Sequence, residues 1–220
     1  MIRTIPELIR HLLCVRTIDL DSLKKYIKLS HEVLHDALMQ LEGKGLLKIS
    51  GGYIEVANVI GLAVEGLKLG LSHESVATCL RWKDFEYYTS KILEAHGYYV
   101  YRGLKGGLRG GRFEIDVLGY RGGLALAVDC KHWKRGRLSL LKAHAEAHIS
   151  RVEKLSYAIK ARMVDIGFRK GKILPVIVTL YEPYEKVFNG VPLVPIGEFN
   201  DFVLNVRRYV EELNLITFTV

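Results

Sequence analysis

Four charged side chains stand out in the segment GRFEIDVLGYRGGLALAVDCKHWKRG, because the residues around them are typical of two buried β-strands. They are Glu114, Asp116, Asp129 and Lys131. Burying a charge costs free energy unless a partner compensates for it. These residues are therefore expected to neutralise one another or to hold a ligand.

The spacing of the four residues places them on one side of a predicted hairpin. Side chains alternate along a strand, so Glu114 shares a face with Asp116, and Asp129 shares a face with Lys131. If Gly122-Gly123 forms a two-residue turn, Asp116 lies opposite Asp129 and Glu114 lies opposite Lys131. A three-residue turn would instead put the two aspartates on opposite faces.

Two facing carboxylates repel each other unless positive charge lies between them, and a divalent cation would supply it. Mg²⁺ or Mn²⁺ takes oxygen ligands and keeps several waters, so Asp116, Asp129 and the carbonyl of Cys130 are candidate metal ligands. Lys131 could hold an attacking water and neutralise charge on a phosphate. The alternative is a pair of cross-strand salt bridges without catalytic function, one of them between Glu114 and Lys131.

The same residues resemble the D…(D/E)xK signature of the restriction-endonuclease-like nucleases. Asp116 is followed, 13 residues later, by Asp129-Cys130-Lys131. A glutamate on the preceding helix often completes the site in that superfamily, and Glu86 in KDFEYYTSKILEAHGYYV matches it. The stretch from Glu86 to Lys131 is similar to archaeal Holliday-junction resolvases and to Mrr-type restriction endonucleases. The sequence departs from the signature at Ile115, where proline is usual, and at Asp129, where glutamate is commoner.

The resemblance implies a metal-dependent DNA endonuclease with an α/β fold, in which helices flank a mixed sheet. Asp116, Asp129 and the Cys130 carbonyl would bind Mg²⁺ or Mn²⁺, and Lys131 would be the catalytic lysine. Glu86 would bind a second ion or orient water. Glu114 would touch a metal or only pair with Lys131. Enzymes of this superfamily often act as homodimers, because cutting both strands needs two sites.

A rival interpretation is a catalytically silent DNA-binding or assembly protein on the same scaffold. The substrate also stays open between methylated duplex, branched junction, single strand and RNA, because phosphate contacts carry no sequence information.

The distribution of charge favours a polyanionic partner for the C-terminal part. Residues 1–80 hold 9 basic and 9 acidic residues, which leaves 23 basic and 15 acidic residues for 81–220 and accounts for the whole net charge of +8. Such an excess is the electrostatic footprint of nucleic-acid binding. Two segments supply the candidate DNA contacts, namely the glycine-rich stretch RGLKGGLRGGR, predicted to be a loop, and KHWKRGR. The candidates are Arg102, Lys105, Arg109, Arg112, Lys134, Arg135 and Arg137.

Helical and strand patterns divide the chain into three parts. Three helices and a hairpin around Gly51-Gly52 predict a winged helix-turn-helix domain over 1–57. A helical connector follows over 58–82, and the nuclease domain covers 83–220. Acidic residues on the third helix of the first domain favour docking or dimerisation over DNA reading, since phosphates would repel them.

In the nuclease domain, the patterns predict a long helix over roughly 138–166, strands in KILPVIVTL and VPLVPI, and a terminal helix from about Asn200 to Leu213. His144, His148 and Arg151 recur on one side of the long helix. That side is predicted to face DNA or solvent.

The cysteines and the hydropathy predict a cytoplasmic protein that does not enter a membrane. Cys14, Cys79 and Cys130 are far apart and suit a reducing compartment, so neither a disulfide framework nor a zinc finger is expected. No uncharged apolar run is long enough to cross a bilayer.

Overall fold

The computed structural model describes residues 2–108, 111–132, 138–167, 170–208, 210, 213 and 215–219. The chain divides into two compact units, Met1–Asp84 and Phe85–Val220. Within the described part, no helix is both long enough and apolar enough to span a membrane.

The first unit contains five helices and a small antiparallel sheet in the described residues. The helices are α1 (Ile5–Val15), α2 (Leu20–Tyr26), α3 (His31–Gly43), α4 (Val59–Lys68) and α5 (His73–Ala77). The strands β1 (Thr17–Asp19), β2 (Leu47–Ser50) and β3 (Tyr53–Val56) are arranged in the order β1-β3-β2. Ser50 pairs with Tyr53, so Gly51-Gly52 forms the predicted two-residue turn. The three helices and the hairpin are present, with β1 as an additional strand; a winged-helix function stays a prediction.

The expectation that the cysteines are unpaired is wrong for two of them. Cys14 of α1 and Cys79, just after α5, form a disulfide, while Cys130 is free and buried. The pairing depends on the packing of α1 against α5, which brings the two Cα atoms within 4.4 Å of each other. A separation of 65 residues along the chain gave no sign of this proximity. The cysteines therefore do not support a cytoplasmic location, which stays a prediction.

The second unit is built on a seven-stranded mixed sheet, counted over the described residues. Its strands are β4 (Tyr99–Leu108), β5 (Gly111–Arg121), β6 (Leu124–Lys131), β7 (Lys170–Thr179), β8 (Val187–Phe188), β9 (Val191–Pro195) and β10 (Ile216–Thr219). They follow the order β4-β5-β6-β7-β9-β8, and β10 pairs with β7. The pairs β6-β7 and β7-β9 are parallel, and the other pairs are antiparallel.

Helices flank this sheet, as predicted. They are α6 (Trp82–Ala95), α7 (Leu138–Lys160) and α8 (Ile196–Asn205), which continues as a 3₁₀ turn over Val206–Arg208. The mixed sheet with its helices is consistent with the restriction-endonuclease-like arrangement.

The two faces of the central strands are covered by different helices. Leu118, Ala125 and Ala127 pack with Val152 and Leu155 of α7 in one hydrophobic cluster. On the other face, Gly119 comes so close to α6 that an added Cβ would lie 2.9 Å from Cδ1 of Leu93. Every residue of β6 is buried, which explains why this strand is an almost continuous apolar run.

Three predictions about elements of the second unit are wrong in detail. The glycine-rich stretch is not a loop, because β4 continues to Leu108 and pairs with β5 through Gly107↔Arg112. Low strand propensity of glycine suggested a loop, but pairing with the apolar β5 overrides it. The helix α7 ends at Lys160, earlier than expected. The last helix starts at Ile196 rather than near Asn200, and a strand, β10, follows it.

The β4-β5 ladder is interrupted beside Asp116. Pairing runs through Arg102↔Val117 and resumes at Leu104↔Ile115, without a pair between Gly103 and Asp116. Gly103 has φ +59°, in the left-handed region. Such irregularities change the direction in which neighbouring side chains point.

The interruption also changes which side chains of β5 face the core. Phe113, Ile115 and Leu118 all belong to the core against α7. Strict alternation would instead have placed Leu118 on the opposite face from Ile115. The face therefore shifts at Asp116-Val117.

Candidate active site

The β5-β6 hairpin brings Asp116 next to the end of β6. Arg121 pairs with Leu124 and Val117 with Val128, so the turn has the two residues and the register predicted from the sequence. The described ladder ends there. One step beyond it, Oδ2 of Asp116 accepts a hydrogen bond of 2.8 Å from the backbone N–H of Cys130.

Asp129 is buried between two cations. Its Oδ1 lies 2.9 Å from Nη2 of Arg151 on α7, and its Oδ2 lies 2.8 Å from Nζ of Lys131. The side chain of Asp129 is 7% exposed and that of Lys131 is 10% exposed. Solvent therefore screens these two charges little, and each contact is stronger than a surface ion pair.

The electrostatics of Asp116 show that the predicted carboxylates are close together. Burial raises the pKa of Asp116 from 3.8 to about 6, the Cys130 N–H lowers it, and the negative charges of Asp129 and Glu86 raise it further. The charge of Lys131 acts in the opposite direction. Three of the predicted site residues thus act on the charge of a fourth, Asp116.

Glu86 and Cys130 lie on the α6 side of this cluster. Glu86 is half-buried on α6 and its charge also raises the pKa of the Cys130 thiol, after the larger effect of burial. A hydrogen bond between Thr89 of α6 and Cys130 partly offsets that rise in pKa. Cys130 is therefore held at the α6 face, while its backbone N–H holds Asp116.

The prediction that the polar side of α7 faces DNA or solvent is wrong for His148. His148 is fully buried and does not face solvent or DNA; its Nε2 donates a hydrogen bond of 2.7 Å to the carbonyl of Ala127. Burial lowers the pKa of His148 to about 4, so its ring is neutral at pH 7. The i, i+3 spacing of His148 and Arg151 was visible in the sequence, but not their contact with β6.

His144, one turn earlier on α7, is half-buried near the same charges. Burial lowers its pKa, and the positive charge of Lys131 lowers it further.

The structure pairs Glu114 with a lysine of β4. Glu114 lies opposite Lys105 of β4, and its carboxylate is 3.1 Å from the Lys105 ammonium. The Glu114 side chain is 53% exposed. A contact of Glu114 with Lys131 or with a metal stays a prediction.

The predicted DNA-contacting residues have several environments. The guanidinium of Arg102 stacks on the ring of Tyr87, 4.4 Å from its centre, Lys105 pairs with Glu114, and Arg112 is exposed. The remaining candidates lie outside the described residues: Arg109, Lys134, Arg135 and Arg137.

The chemistry of the donor set fits a hard divalent cation. Oδ2 of Asp129 is buried and accepts no hydrogen bond of normal geometry from the described residues, although the Lys131 ammonium is near it. Asp116 is a second carboxylate whose charged form is disfavoured without a cation. No three His, Cys, Asp or Glu side chains in the described part form a cluster that could hold a metal. Water and a backbone carbonyl would have to complete the ligand shell, as is usual for Mg²⁺.

Comparison with known proteins gives one family relationship. An uncharacterized protein of Archaeoglobus fulgidus is 30% identical over 144 residues, which cover 62% of this chain and all of that protein. No family model matches the sequence.

Three solved structures are similar to this chain. A protein of unknown function named AF1548 is 21% identical over 45% of this chain and 47% of its own, with a TM-score of 0.33. Protein VC1899 from Vibrio cholerae is 12% identical over 94% of this chain and 51% of its own, with a TM-score of 0.41. The small subunit of the heterodimeric restriction endonuclease R.BspD6I is 13% identical over 60% and 73%, with a TM-score of 0.36.

The chain spans about half the length of the first two of these structures. TM-scores this low add nothing to what the sheet and the site show by themselves.

Proposed function

This chain belongs to the same family as the Archaeoglobus fulgidus protein, and we propose that it is a metal-dependent DNA endonuclease that hydrolyses phosphodiester bonds. One observation carries the proposal. At the end of the β5-β6 hairpin, the charges of Asp129, Glu86 and Lys131 all act on Asp116, and burial together with the two carboxylates raises its pKa to about 6. A carboxyl group with a raised pKa beside a buried lysine is typical of catalytic sites.

The residues of the site have complementary functions in this proposal. Asp116 and Asp129 would hold Mg²⁺ or Mn²⁺ with the Cys130 carbonyl, and Glu86 would bind a second ion or orient a water. A bound ion would supply a Lewis acid that activates water and stabilises phosphate charge. Lys131, whose ammonium lies 2.8 Å from Asp129, would donate to the attacking water or the scissile phosphate.

DNA is the proposed substrate because the basic excess of the chain lies in the part that holds the site. The Mrr-like restriction type and the junction-resolving type are both compatible with this arrangement. A homodimer would place two such sites on the two strands of a duplex, and it is part of the proposal.

Cleavage of labelled DNAs tests the proposal. Plain duplex, methylated duplex, four-way junction and single strand are incubated with Mg²⁺, Mn²⁺ or EDTA. We expect cutting only with metal, and loss of cutting in Asp116→Ala and Lys131→Ala while the fold and DNA binding persist. Asp201→Asn, which changes an exposed aspartate of α8, is the matched control and should cut normally. Unchanged cleavage in either of the first two variants would refute the proposal.

A second candidate is a catalytically silent DNA-binding or assembly protein. The observation that favours it is the neutralisation of Asp129 by Lys131 and Arg151, which needs no metal. Titration calorimetry with Mn²⁺ separates the two candidates. Metal binding that is lost in Asp116→Ala favours the nuclease, whereas DNA binding without metal binding or cutting favours the silent protein.

A further inference from the structure

We propose that Arg151 is a positioning residue that fixes the carboxylate of Asp129 for metal binding. This inference rests on the proposed function, since it assigns Asp129 to the metal. Arg151 lies on α7, 22 residues along the chain from Asp129, and no part of the predicted site included it.

Arg151 and His148 of α7 connect two residues of β6, Asp129 and Ala127, through a series of contacts. Nη2 of Arg151 lies 2.9 Å from Oδ1 of Asp129 and 3.4 Å from Nδ1 of His148. Nε2 of His148 in turn donates to the carbonyl of Ala127, 2.7 Å away. Ala127 and Asp129 are two residues apart on the same strand. These contacts therefore fix the position of the Asp129 carboxylate relative to the backbone of its own strand.

The tautomer of His148 follows from this geometry. A carbonyl can only accept, so Nε2 of His148 carries the proton and Nδ1 presents a lone pair. An arginine can only donate, so Nη2 of Arg151 donates to Nδ1 and to Asp129. The donors of these contacts are therefore fixed: Arg151 donates to the Asp129 carboxylate and to His148, and His148 donates to the carbonyl of Ala127.

Arg151 contacts only one oxygen of Asp129. It lies against Oδ1, whereas Oδ2 accepts no hydrogen bond of normal geometry in the described part of the chain and lies 2.8 Å from the Lys131 ammonium, on the side where a metal would bind. Nε of Arg151 is itself buried without a hydrogen-bond partner among the described residues, which costs stability. An arginine retained at that cost is better explained by orientation of Asp129 than by stabilisation of the fold.

Metal affinity distinguishes positioning from a purely electrostatic effect. Removing a positive charge near a cation site would by itself tighten cation binding. Removing a group that orients a ligand typically weakens metal binding by about 10- to 100-fold. We therefore expect Arg151→Met and Arg151→Gln to weaken Mn²⁺ binding, the first more than the second, because glutamine can still donate to Asp129.

The experiment measures Mn²⁺ binding by titration calorimetry in the full chain without DNA. Circular dichroism confirms that each variant is folded, and Arg151→Gln decides the question if Arg151→Met is not. Lys142→Met is the matched control, because Lys142 is an exposed cation of α7 paired with Glu185, and its Mn²⁺ affinity should be that of the wild type. Binding of a plain DNA duplex in EDTA is measured in parallel and should be unchanged in the Arg151 variants.

Three outcomes would overturn the inference. Unchanged or tighter Mn²⁺ binding in the folded variants would overturn it while leaving the proposed function intact. Weaker DNA binding in EDTA with unchanged Mn²⁺ affinity would make Arg151 a phosphate contact instead. Absence of Mn²⁺ binding in the wild type would overturn the proposed function, and the inference with it.

Discussion

The carboxyl group of Asp116 is held in a place where its charge is unfavourable. Burial, Asp129 and Glu86 together raise its pKa to about 6, and only the Cys130 N–H and Lys131 favour the charged form. A protein selected for stability alone would not place an aspartate there. A cation that binds the charged carboxylate would offset this cost and stabilise the folded state, because the unfolded chain does not offer the site.

This raised pKa makes the stability of the metal-free protein depend on pH. The unfolded chain loses the Asp116 proton near pH 3.8, whereas the folded chain keeps it until about pH 6. The folded state therefore binds more protons in this interval, and its stability falls as pH rises through it. The full difference corresponds to about 3 kcal/mol.

Asp116→Asn should remove this dependence. We expect the variant to increase the free energy of unfolding in EDTA by up to about 3 kcal/mol at pH 7 and by little at pH 4, because asparagine carries no charge at either pH. Urea unfolding at both pH values measures the effect. Asp201→Asn, at an exposed position, should show no such difference. An equal gain for Asp116→Asn at pH 4 and pH 7 would contradict the explanation.

Individual residues differ in how far the sequence could predict their position. The pair Gly122-Gly123 takes positive φ angles of 53° and 83°, as a tight turn requires, so the register that sets Asp116 beside β6 was fixed locally. Arg151 and His148 could not be assigned in the same way. Their contacts with β6 depend on how α7 packs across the sheet, which their spacing on the helix does not encode.

Among the elements, β4 decides where Asp116 points. The β4-β5 ladder omits the position of Gly103 and Asp116, and the core-facing side of β5 shifts there. The sequence predicted a glycine-rich loop in this region, because glycine has a low intrinsic preference for strands. In the structure Gly103 lies within β4 instead, and it has a left-handed φ at the point where the ladder is interrupted.

Gly103→Ala should therefore destabilise the second unit. No atom lies within 4 Å of an added Cβ at this position, so the cost arises from the backbone, whose φ of +59° disfavours an L side chain by about 1–2 kcal/mol. Gly107→Ala on the same strand is the matched control, since its Cβ would meet only Cγ of Arg112 at 4.0 Å. Urea unfolding should show the loss for Gly103→Ala alone.

The metal affinity of Gly103→Ala extends this test to the site. If the interruption of the β4-β5 ladder orients Asp116, a change in the backbone at residue 103 should also weaken Mn²⁺ binding by the folded Gly103→Ala variant. Equal stability of the two alanine variants would show that the left-handed residue is not needed there.

At the scale of the whole molecule, charge is divided unequally between the two units. The first unit contains 11 basic and 10 acidic residues and the second contains 21 basic and 14 acidic residues, so nearly all of the excess of positive charge belongs to the part that carries the site. Phosphate contacts release counterions from DNA, so each one contributes to the salt dependence of affinity. DNA binding should thus depend on the second unit and weaken as salt rises.

Charge reversal in each unit tests this division. Arg112→Glu, at an exposed position of β5, should weaken binding of a plain duplex in EDTA and reduce the slope of log affinity against log salt by about one, because one phosphate contact is lost. Lys25→Glu, at an exposed position of α2 in the first unit, changes net charge by the same amount and should leave both quantities unchanged. Fluorescence anisotropy across a salt series measures both. If Lys25→Glu weakens binding as much as Arg112→Glu does, the affinity follows total charge or the first unit also contacts DNA, and the proposed location of the DNA interface is wrong.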